Sequence, residues 1–589
     1  MSAESNETTP RNGDTRTARR AAAAWRLFAG VLVLGFLATR VLAIDTVAGN
    51  WDEFVLLERA ANTAETGILE GGGRPGLATL ALVPIAADCR DEIATLRQAR
   101  RVWLGVTSLY LLGLGVLLAQ ICGPPARRRT AVALGVALLA LVPAFLEWSL
   151  QVRTDQLALC FGIWGAVLLL ASQRRPWLAL VAGLLFGLGY LATQKLVYVG
   201  ALAALLAAGQ LWRSHELRIG RDAARAAACL GVFLGAISAF HVATTTVLDV
   251  PAPETALASM SPTIVGAQLS EFAYYRNTIG FDQYLAIAPT LVPHAVLWLA
   301  MIAASVAALR TRRRDVENLW LAWAVLGLGA AVGAFHASAF AYFYMTLGLF
   351  PAVALALAFG PIREILAPGR ERIARFALAG IGAALALQGL ARMAELTVDT
   401  QAVQRESLAF VHRNFADTDA GFHPEHAAFC RDEKDPIQVF FSQVIYRHFA
   451  GVHREKSTEI LLQDLRERPV KFVLQSFRLN QFPVEVRRFL ADNYQPYRAA
   501  VFVAGRRLEG AAGERREFEL VVPGAYRWLP LAGPQPIRIG EITLAPGEVA
   551  EFDAGSYTAR FEQDLPAGLL VLALGDPPST APLSFYKLY

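Results

Sequence analysis

The sequence is poor in charged residues. Asp, Glu, Lys and Arg make up 18% of the 589 residues, whereas hydrophobic residues make up 54% and the mean hydropathy is +0.38. This composition is too apolar for an ordinary multidomain soluble protein. The formal net charge of +5 is small for a chain of this length, which makes nucleic acid a poor candidate partner.

The sequence also lacks metal-binding or disulfide-type cysteine spacing, and it lacks internal repeats. The five cysteines stand at positions 89, 122, 160, 229 and 430, with neither C-x-x-C spacing nor clustering. We therefore expect no disulfide framework and no zinc site. The apolar segments show no internal repeat, and this weakens the interpretation as a transporter built from inverted repeats.

Long apolar segments are what the sequence has instead. Because lipid cannot satisfy a bare backbone, each helical span needs about 20 mostly apolar residues. One member of the pairs at 177–212 and 317–360 could be re-entrant, and the first segment could be a signal peptide. The eleven predicted spans are 26–44, 102–121, 130–147, 156–172, 177–192, 196–212, 226–247, 289–309, 317–336, 340–360 and 374–391.

The distribution of arginine predicts the orientation. Residues 1–25 are predicted to form a disordered tail, and if it is cytoplasmic, each inside loop carries at least two arginines. An odd number of spans then places the segment after residue 392 outside. We expect a multi-pass protein of the bacterial cytoplasmic (inner) membrane, with a cytoplasmic N terminus.

The C-terminal third changes character. Charged residues become frequent, and short strand-like runs such as "VKFVLQSF" and "EFELVV" appear. The predicted fold is a polytopic α-helical membrane domain, 26–392, followed by an extracytoplasmic α/β domain, 393–510, and a small β-rich module, 511–589.

The predicted outside loops carry the chemically versatile side chains. Asp52 and Glu53 follow the first span, and "EGGGRPGL" in the same loop contains Arg74. Later outside segments contribute Asp155 in "RTD", Lys195 in "TQK", Arg276 in "AYYRN" and Tyr344 in "AYFYM". Acids and bases are thus gathered at one water–lipid boundary.

The order of these elements resembles the GT-C superfamily of polytopic glycosyltransferases, especially the branch with protein mannosyltransferases and bacterial aminoarabinose transferases. The resemblance covers roughly residues 26–391. It rests on the first-loop "DE", on "GRPGL" in place of an Arg/Lys-Pro-Pro segment, and on "RQARRVW", "RTD", "TQK" and "AYFYMTLGLFP". It implies inverting sugar transfer from a polyprenyl phosphate to a lipid or cell-envelope glycan.

The chemistry of such a transfer suggests a role for each residue. Asp52, beside Glu53, is the predicted general base for the acceptor hydroxyl. Arg74, Lys195 and Arg276 are predicted to face the leaving phosphate, and Tyr344 to donate a hydrogen bond to it. Asp155 either orients the acceptor or helps Asp52 bind a divalent metal ion.

Simpler interpretations stand beside these roles. The acidic pair could be a solvated loop, and Asp155 could complement the dipole of the fourth span. Lys195 and Arg40 could extend from span ends to the interface, which is the interpretation preferred for Arg40. Tyr344 fits an aromatic belt as well as a site.

The acidic pair lacks the Arg-Tyr-Ala-Glu type sequence that follows it in aminoarabinose transferases, and no domain is inserted between spans as in protein mannosyltransferases. The sugar and the acceptor therefore stay open. The alternatives are an oligosaccharide polymerase or ligase, a transporter or flippase of lipid-linked sugars, and a structural envelope protein.

Overall fold

The structure is a computed structural model of the chain and divides into two compact units. The helical unit comprises residues 1–45, 62–82 and 99–398, and the sheet unit comprises 46–61, 83–98 and 399–589. Besides a few single positions, the described residues are 34–69, 76–122, 125–140, 143–214, 219–248, 301–309, 317–335, 343–366, 389–396, 398–423, 427–431, 454–575 and 583–586.

Among the described residues before residue 399, the regular secondary structure is helical. Helical stretches also occur at 34–46, 301–309 and 389–396. The named helices are α1 (Trp51–Thr66), α2 (Leu77–Ala86), α3 (Glu92–Ile121), α4 (Pro125–Ala140), α5 (Pro143–Trp148), α6 (Thr154–Ala171), α7 (Leu178–Ala192), α8 (Leu196–Ser214), α9 (Ile219–Val247), α10 (Glu317–Phe335), α11 (Tyr344–Leu347) and α12 (Leu349–Leu366).

Among the residues that the structure describes, five helices are long and apolar enough to cross a membrane, so the chain is a multi-pass membrane protein. The predicted count of about eleven spans stays a prediction, because 26–44, 289–309 and 374–391 lie partly outside the described residues. The five are Glu92–Ile121, Thr154–Ala171, Leu196–Arg213, Gly220–Val247 and Met345–Ile362; shorter apolar helices are Leu77–Ala86, Leu178–Ala192 and Glu317–Gly333.

Small residues let helices of the helical unit approach closely. A Cβ on Gly183 of α7 would overlap the carbonyl of Cys229 in α9, so this contact requires glycine. One turn further, a Cβ on Gly187 would lie 2.8 Å from the methyl of Ala236. In lipid there is no hydrophobic driving force between apolar helices, so van der Waals contacts at small residues such as these stabilise their association.

The sheet unit contains two sheets. The larger has seven strands in the order β1-β2-β4-β11-β6-β9, with β3 also paired to β4, and the smaller has the order β5-β10-β7-β8. Among the strand pairs of the described residues, β1–β2 is parallel and the others are antiparallel. The strands are β1 (Gly421–Phe422), β2 (Phe472–Leu474), β3 (Tyr494–Arg498), β4 (Val501–Gly510), β5 (Arg515–Leu520), β6 (Gly524–Pro530), β7 (Ile537–Ile539), β8 (Ile542–Leu544), β9 (Val549–Phe552), β10 (Gly555–Arg560) and β11 (Leu565–Leu572).

Alternation of inward and outward side chains builds the core of the sheet unit. Tyr526 and Trp528, two residues apart in β6, are both buried, as period-2 geometry requires. A Cβ on Gly568 of β11 would overlap the Trp528 ring, so glycine makes room for the indole. Strand β4 ends at residue 510, the predicted domain boundary, and pairs with β2 and with β11.

The described part of the sheet unit after residue 399 also contains α13 (Ala402–Asn414), α14 (Arg454–Glu467), the 3-10 helix Phe477–Gln481 and α15 (Val484–Asn493). The entry to α13 is tied to the segment after the first predicted span, because the backbone N–H groups of Thr400 and Gln401 donate to Thr46 O at 2.7 and 3.0 Å.

A disulfide joins Cys89 to Cys430 within the sheet unit, across 341 residues of chain. The cysteine spacing implied no disulfide framework, so this single bond was not predicted. Cys122 and Cys160 are free and buried, and Cys229 is free and half-buried. The disulfide therefore fastens the segment 83–98 covalently to the C-terminal third.

The disulfide predicts a large stability difference between cysteine variants. Cys89→Ser is expected to destabilise the sheet unit by about 2–5 kcal/mol, because the cross-link restricts the unfolded chain. Cys229→Ser, a change at a free cysteine, is the matched control. Chemical unfolding followed by tryptophan fluorescence measures both, and equal midpoints for Cys89→Ser and Cys229→Ser would contradict the assignment.

Candidate functional site

The acidic pair, Asp52 and Glu53, lies in the first turn of helix α1. Asn50 precedes the helix, and its side-chain Oδ1 accepts from the Asp52 N–H at 3.0 Å. Glu53 reaches back, and its Oε2 accepts from the Asn50 N–H at 2.9 Å. This reciprocal arrangement is a capping box, which satisfies backbone donors that a helix N terminus leaves unpaired. Glu53 is fully buried and holds the start of the helix.

The residues before the capping box are held by α13. The Gly49 N–H donates to Gln404 Oε1 at 2.6 Å, and Gln404 Nε2 returns a bond to Gly49 O at 2.9 Å. Phe54 packs against the rings of Phe429, Phe585 and Tyr586, at centroid distances of 5.7–6.0 Å. Residues 46–61 are therefore part of the sheet unit's packing and do not form a solvated loop.

Asp52 differs from its neighbour in exposure. It occupies the second position of α1, where a negative charge is favoured by the helix dipole, and its side chain is only partly buried. Asp52 is therefore a carboxylate at a fixed helix start with access to solvent.

A second acidic cluster lies beside the disulfide. Glu92 is fully buried, its Oε1 accepts from the Cys430 N–H at 3.1 Å, and its Oε2 lies 2.8 Å from His412 Nε2. The hydrogen bond with Glu92 raises the pKa of His412 above its usual value. Residues from three distant parts of the sequence meet here, and the cluster was not predicted.

Asp155 and Lys195 are brought together in the helical unit. Lys195 Nζ lies 3.1 Å from Asp155 Oδ1 and 3.3 Å from Oδ2. Arg153 Nε lies 3.9 Å from the same carboxylate. The side chains of Asp155 and Arg153 are almost fully buried, whereas Lys195 is 20% exposed. Two cations surround one carboxylate, so the cluster carries one excess positive charge.

The position of the cluster follows from the start of α6. Arg153 is the residue before the helix and is extended, with φ −131° and ψ 144°, and Asp155 lies in the first turn. The Arg153 guanidinium lies 5.4 Å from the Trp148 ring. The backbone carbonyl of Arg153 accepts a hydrogen bond from Trp103 Nε1 at 2.9 Å. The predicted role of Asp155 at the helix start and its pairing with Lys195 therefore coexist.

The remaining predicted residues stand as follows. Arg74 and Arg276 lie outside the described residues, and Tyr344 is the first residue of α11. The preference for Arg40 reaching the interface was wrong: Arg40 is fully buried, and its guanidinium lies 4.8 Å from the Phe36 ring. Aromatic stacking is one way that a buried cation is stabilised.

The predicted metal at Asp52 and Asp155 finds little support in the donor set. Both oxygens of Asp155 lie beside the Lys195 ammonium, which repels a cation. Among the residues that the structure describes, no group of three or more His, Cys, Asp and Glu could hold a metal ion.

Two of the missed features had readable signals. Asn50 and Glu53 have the spacing of a capping box, with a helix-starting side chain three residues before Glu. Three cysteines lie outside the predicted spans, and of these Cys122 falls in a predicted inside loop, whereas Cys89 and Cys430 both fall in predicted outside segments. A disulfide between Cys89 and Cys430 could therefore have been proposed. No local signal joins Glu92 to His412, which are 320 residues apart.

The capping box predicts that the two acids respond differently to mutation. Glu53→Ala is expected to cost about 1–2 kcal/mol of folding stability, because Asn50 loses its acceptor and the helix loses its cap. Asp52→Asn, the matched neighbour, keeps the cap and is expected to cost less than about 1 kcal/mol. Thermal unfolding in detergent measures both, and a larger loss for Asp52→Asn would refute the assignment.

The raised pKa of His412 predicts a pH dependence of stability. The folded chain holds the His412 proton more tightly than the unfolded chain, so the stabilisation is fully present below the usual pKa of 6.5. It is lost as the pH rises through the raised pKa. The unfolding temperature of wild type should therefore fall towards that of His412→Gln above neutral pH, and parallel curves from pH 6 to 9 would rule this out.

No family model matches the chain, and no curated protein matches it. Its structure is similar to that of the Archaeoglobus fulgidus oligosaccharyltransferase solved with zinc and sulfate, at 12% identity, with 94% of this chain and 98% of that chain covered and a TM-score of 0.47.

The archaeal oligosaccharyltransferase AglB from the same organism, with an inhibitory peptide and a dolichol-phosphate, gives 12% identity, coverage of 95% and 97%, and a TM-score of 0.44. At these TM-scores no residue role is taken from either structure. Both structural neighbours are oligosaccharyltransferases of Archaeoglobus fulgidus.

Proposed function

We propose that the protein is an inverting glycosyltransferase of the bacterial cytoplasmic membrane, which moves a sugar from a polyprenyl-phosphate donor to a lipid or cell-envelope glycan on the outer face. The observation that carries this proposal is the buried cluster of Asp155, Lys195 and Arg153 in the helical unit. Ionisable groups buried in a polytopic membrane unit are costly, and they mark functional sites by default.

The excess positive charge of the cluster suits a leaving phosphate. When the bond between sugar and phosphate breaks, negative charge develops on phosphate oxygen, and a cation already in place stabilises that charge. Lys195 has three donors on its ammonium, and the pair with Asp155 leaves its side chain partly exposed. Asp155 holds the ammonium in position, and Lys195 is the group that contacts the phosphate.

Asp52 is the proposed general base. The acceptor hydroxyl loses a proton as its oxygen attacks the anomeric carbon, and a placed carboxylate contributes roughly 10² to 10⁴ in rate. Glu53 is buried and committed to the helix cap. We therefore assign proton removal to Asp52 and the positioning of Asp52 to Glu53. The direct displacement inverts the anomeric centre and needs no covalent intermediate.

The disulfide supports the proposed orientation. Disulfides persist in oxidising compartments and are rare in the cytosol. A bond between Cys89 and Cys430 therefore favours an extracytoplasmic position for both residues, as the arginine pattern predicts.

Transfer of a preassembled oligosaccharide is the second candidate. A ligase of this kind also releases a phosphorylated lipid, so the Lys195 cluster suits either donor. A transporter or flippase is the alternative from a different class. One assay separates the three candidates: transfer from a polyprenyl-phosphate sugar, transfer from a lipid-linked oligosaccharide, or no transfer, which is expected of a transporter or flippase.

The proposal predicts a sharp loss of transfer in two variants. Purified protein is reconstituted with radiolabelled polyprenyl-phosphate sugars, or with lipid-linked oligosaccharide, and with membrane extract as acceptor. Lys195→Gln is expected to lower the rate by about 10²–10³ because the leaving phosphate loses its cation. Asp52→Asn is expected to lower it by about 10²–10⁴.

Arg129→Gln, a change at an exposed arginine of α4, is the matched control and should retain the wild-type rate. Undiminished transfer by Asp52→Asn would remove the base assignment, and undiminished transfer by Lys195→Gln would remove the phosphate assignment. Transfer from neither donor by wild type would favour the transport interpretation.

A further inference from the structure

An apolar groove runs along helix α8 in the helical unit. Its volume is about 490 Å³, and its walls come from α6, α7, α8 and α9. It follows α8 from Leu196 to Leu211, a length of about 22 Å at 1.5 Å per residue. Since the hydrocarbon core of a bilayer is about 30 Å thick, the groove matches one extended hydrocarbon chain within one leaflet and part of the next.

The groove is open along its side. Val197, Ala204 and Ala208 of α8 and Leu230 of α9 are exposed and line it. In a membrane these residues face lipid, because five helices of the chain, α8 and α9 among them, are long and apolar enough to span. A chain can therefore enter sideways from the bilayer, and no hydrated passage is needed.

One end of the groove is polar and basic. Arg225 lines it, pairs with Asp222, and its Nη1 donates to Ser172 O at 3.2 Å. Arg221, one turn before Arg225 and exposed, donates from Nη2 to Gln173 O at 3.4 Å.

The turn after α6 adds further positive charge at this end. Arg174 and Arg175 directly follow Gln173 and are exposed, and Trp177, 58% exposed, follows them. Exposed tryptophan is typical of the membrane–water interface. With the two arginines of α9, four arginines and one aspartate stand at this end, a net charge that suits an anionic headgroup.

We propose that this groove is a binding site for an anionic phospholipid, whose acyl chain lies along α8 and whose phosphate lies at Arg221 and Arg225. Basic pockets between helices at a membrane surface bind anionic headgroups. Lys195 precedes the opposite end of α8, so the phosphate site is separate from the one proposed for sugar transfer. The lipid is bound as a resident of the helical unit and is not consumed.

The hydrocarbon part of the proposal is tested by filling the groove. Gly200 lines it, and a Cβ there would meet nothing within 4 Å, so Gly200→Leu projects into the space intended for the lipid. Gly231 of α9 is equally open but does not line the groove, which makes Gly231→Leu the matched control. The probe is dioleoyl phosphatidylglycerol titrated into full-length protein in detergent and counted by native mass spectrometry.

Wild type and Gly231→Leu should retain phosphatidylglycerol equally. Gly200→Leu should need about tenfold more lipid, because roughly two methylene groups lose their place against the protein. Equal retention by all three proteins would overturn the proposal. Thermal unfolding of each variant without added lipid separates lost binding from misfolding.

The headgroup is tested by comparing phosphatidylglycerol with dioleoyl phosphatidylcholine. Wild type should prefer the anionic lipid, and Arg221→Gln should weaken that binding about fivefold while leaving phosphatidylcholine unchanged. Equal binding of the two lipids by wild type would reduce the groove to an unselective hydrocarbon surface and overturn the proposal.

A polyprenyl phosphate is the remaining competitor for the groove. If it displaces phosphatidylglycerol from wild type, and Gly200→Leu loses sugar transfer with it, the groove belongs to the donor and the present proposal falls. If Gly200→Leu loses phosphatidylglycerol and keeps sugar transfer, the lipid site is independent, whatever the outcome for Lys195 and Asp52.

Discussion

A carboxylate among membrane-spanning helices must be held by cations, and the proposed chemistry depends on that constraint at Asp155. Lys195 and Arg153 both lie within 4 Å of it, so the helical unit tolerates the charge and keeps one positive charge in excess. Removing one partner of such a buried cluster leaves an uncompensated charge. In the proposed transfer, the cations that hold Asp155 also supply the positive charge that faces the departing phosphate.

The first outside segment shows how a loop becomes part of a rigid structure. Asn50 and Glu53 cap α1 reciprocally, Gln404 holds Gly49 with two hydrogen bonds, and the Cys89–Cys430 disulfide fixes the chain before α3. Buried Glu92 joins this framework through His412. Asp52 stands on a helix start that several long-range contacts define, and the proposed role of general base depends on that fixed position.

The helical part of the fold could be read from apolar segments, because lipid imposes a length and a composition on each span. The predicted segments 156–172 and 177–192 coincide closely with Thr154–Ala171 and Leu178–Ala192. Contacts between distant residues could not be read in this way: Gln404 meets Gly49 across 355 residues, and no local pattern announces it. The sequence also did not predict the ion pair between Asp155 and Lys195. It predicted both residues on one side of the membrane, but it carried no signal that their side chains are in contact.

The central claim is that Lys195, held by Asp155, contacts the phosphate of a lipid-linked donor. An electron cryo-microscopy map of the full-length protein with a non-transferable polyprenyl-phosphate analogue tests it most directly. The account predicts phosphate density within about 3 Å of Lys195 Nζ, with the Asp155 pair retained or loosened. Phosphate density elsewhere, with Lys195 still turned fully onto Asp155, would contradict it.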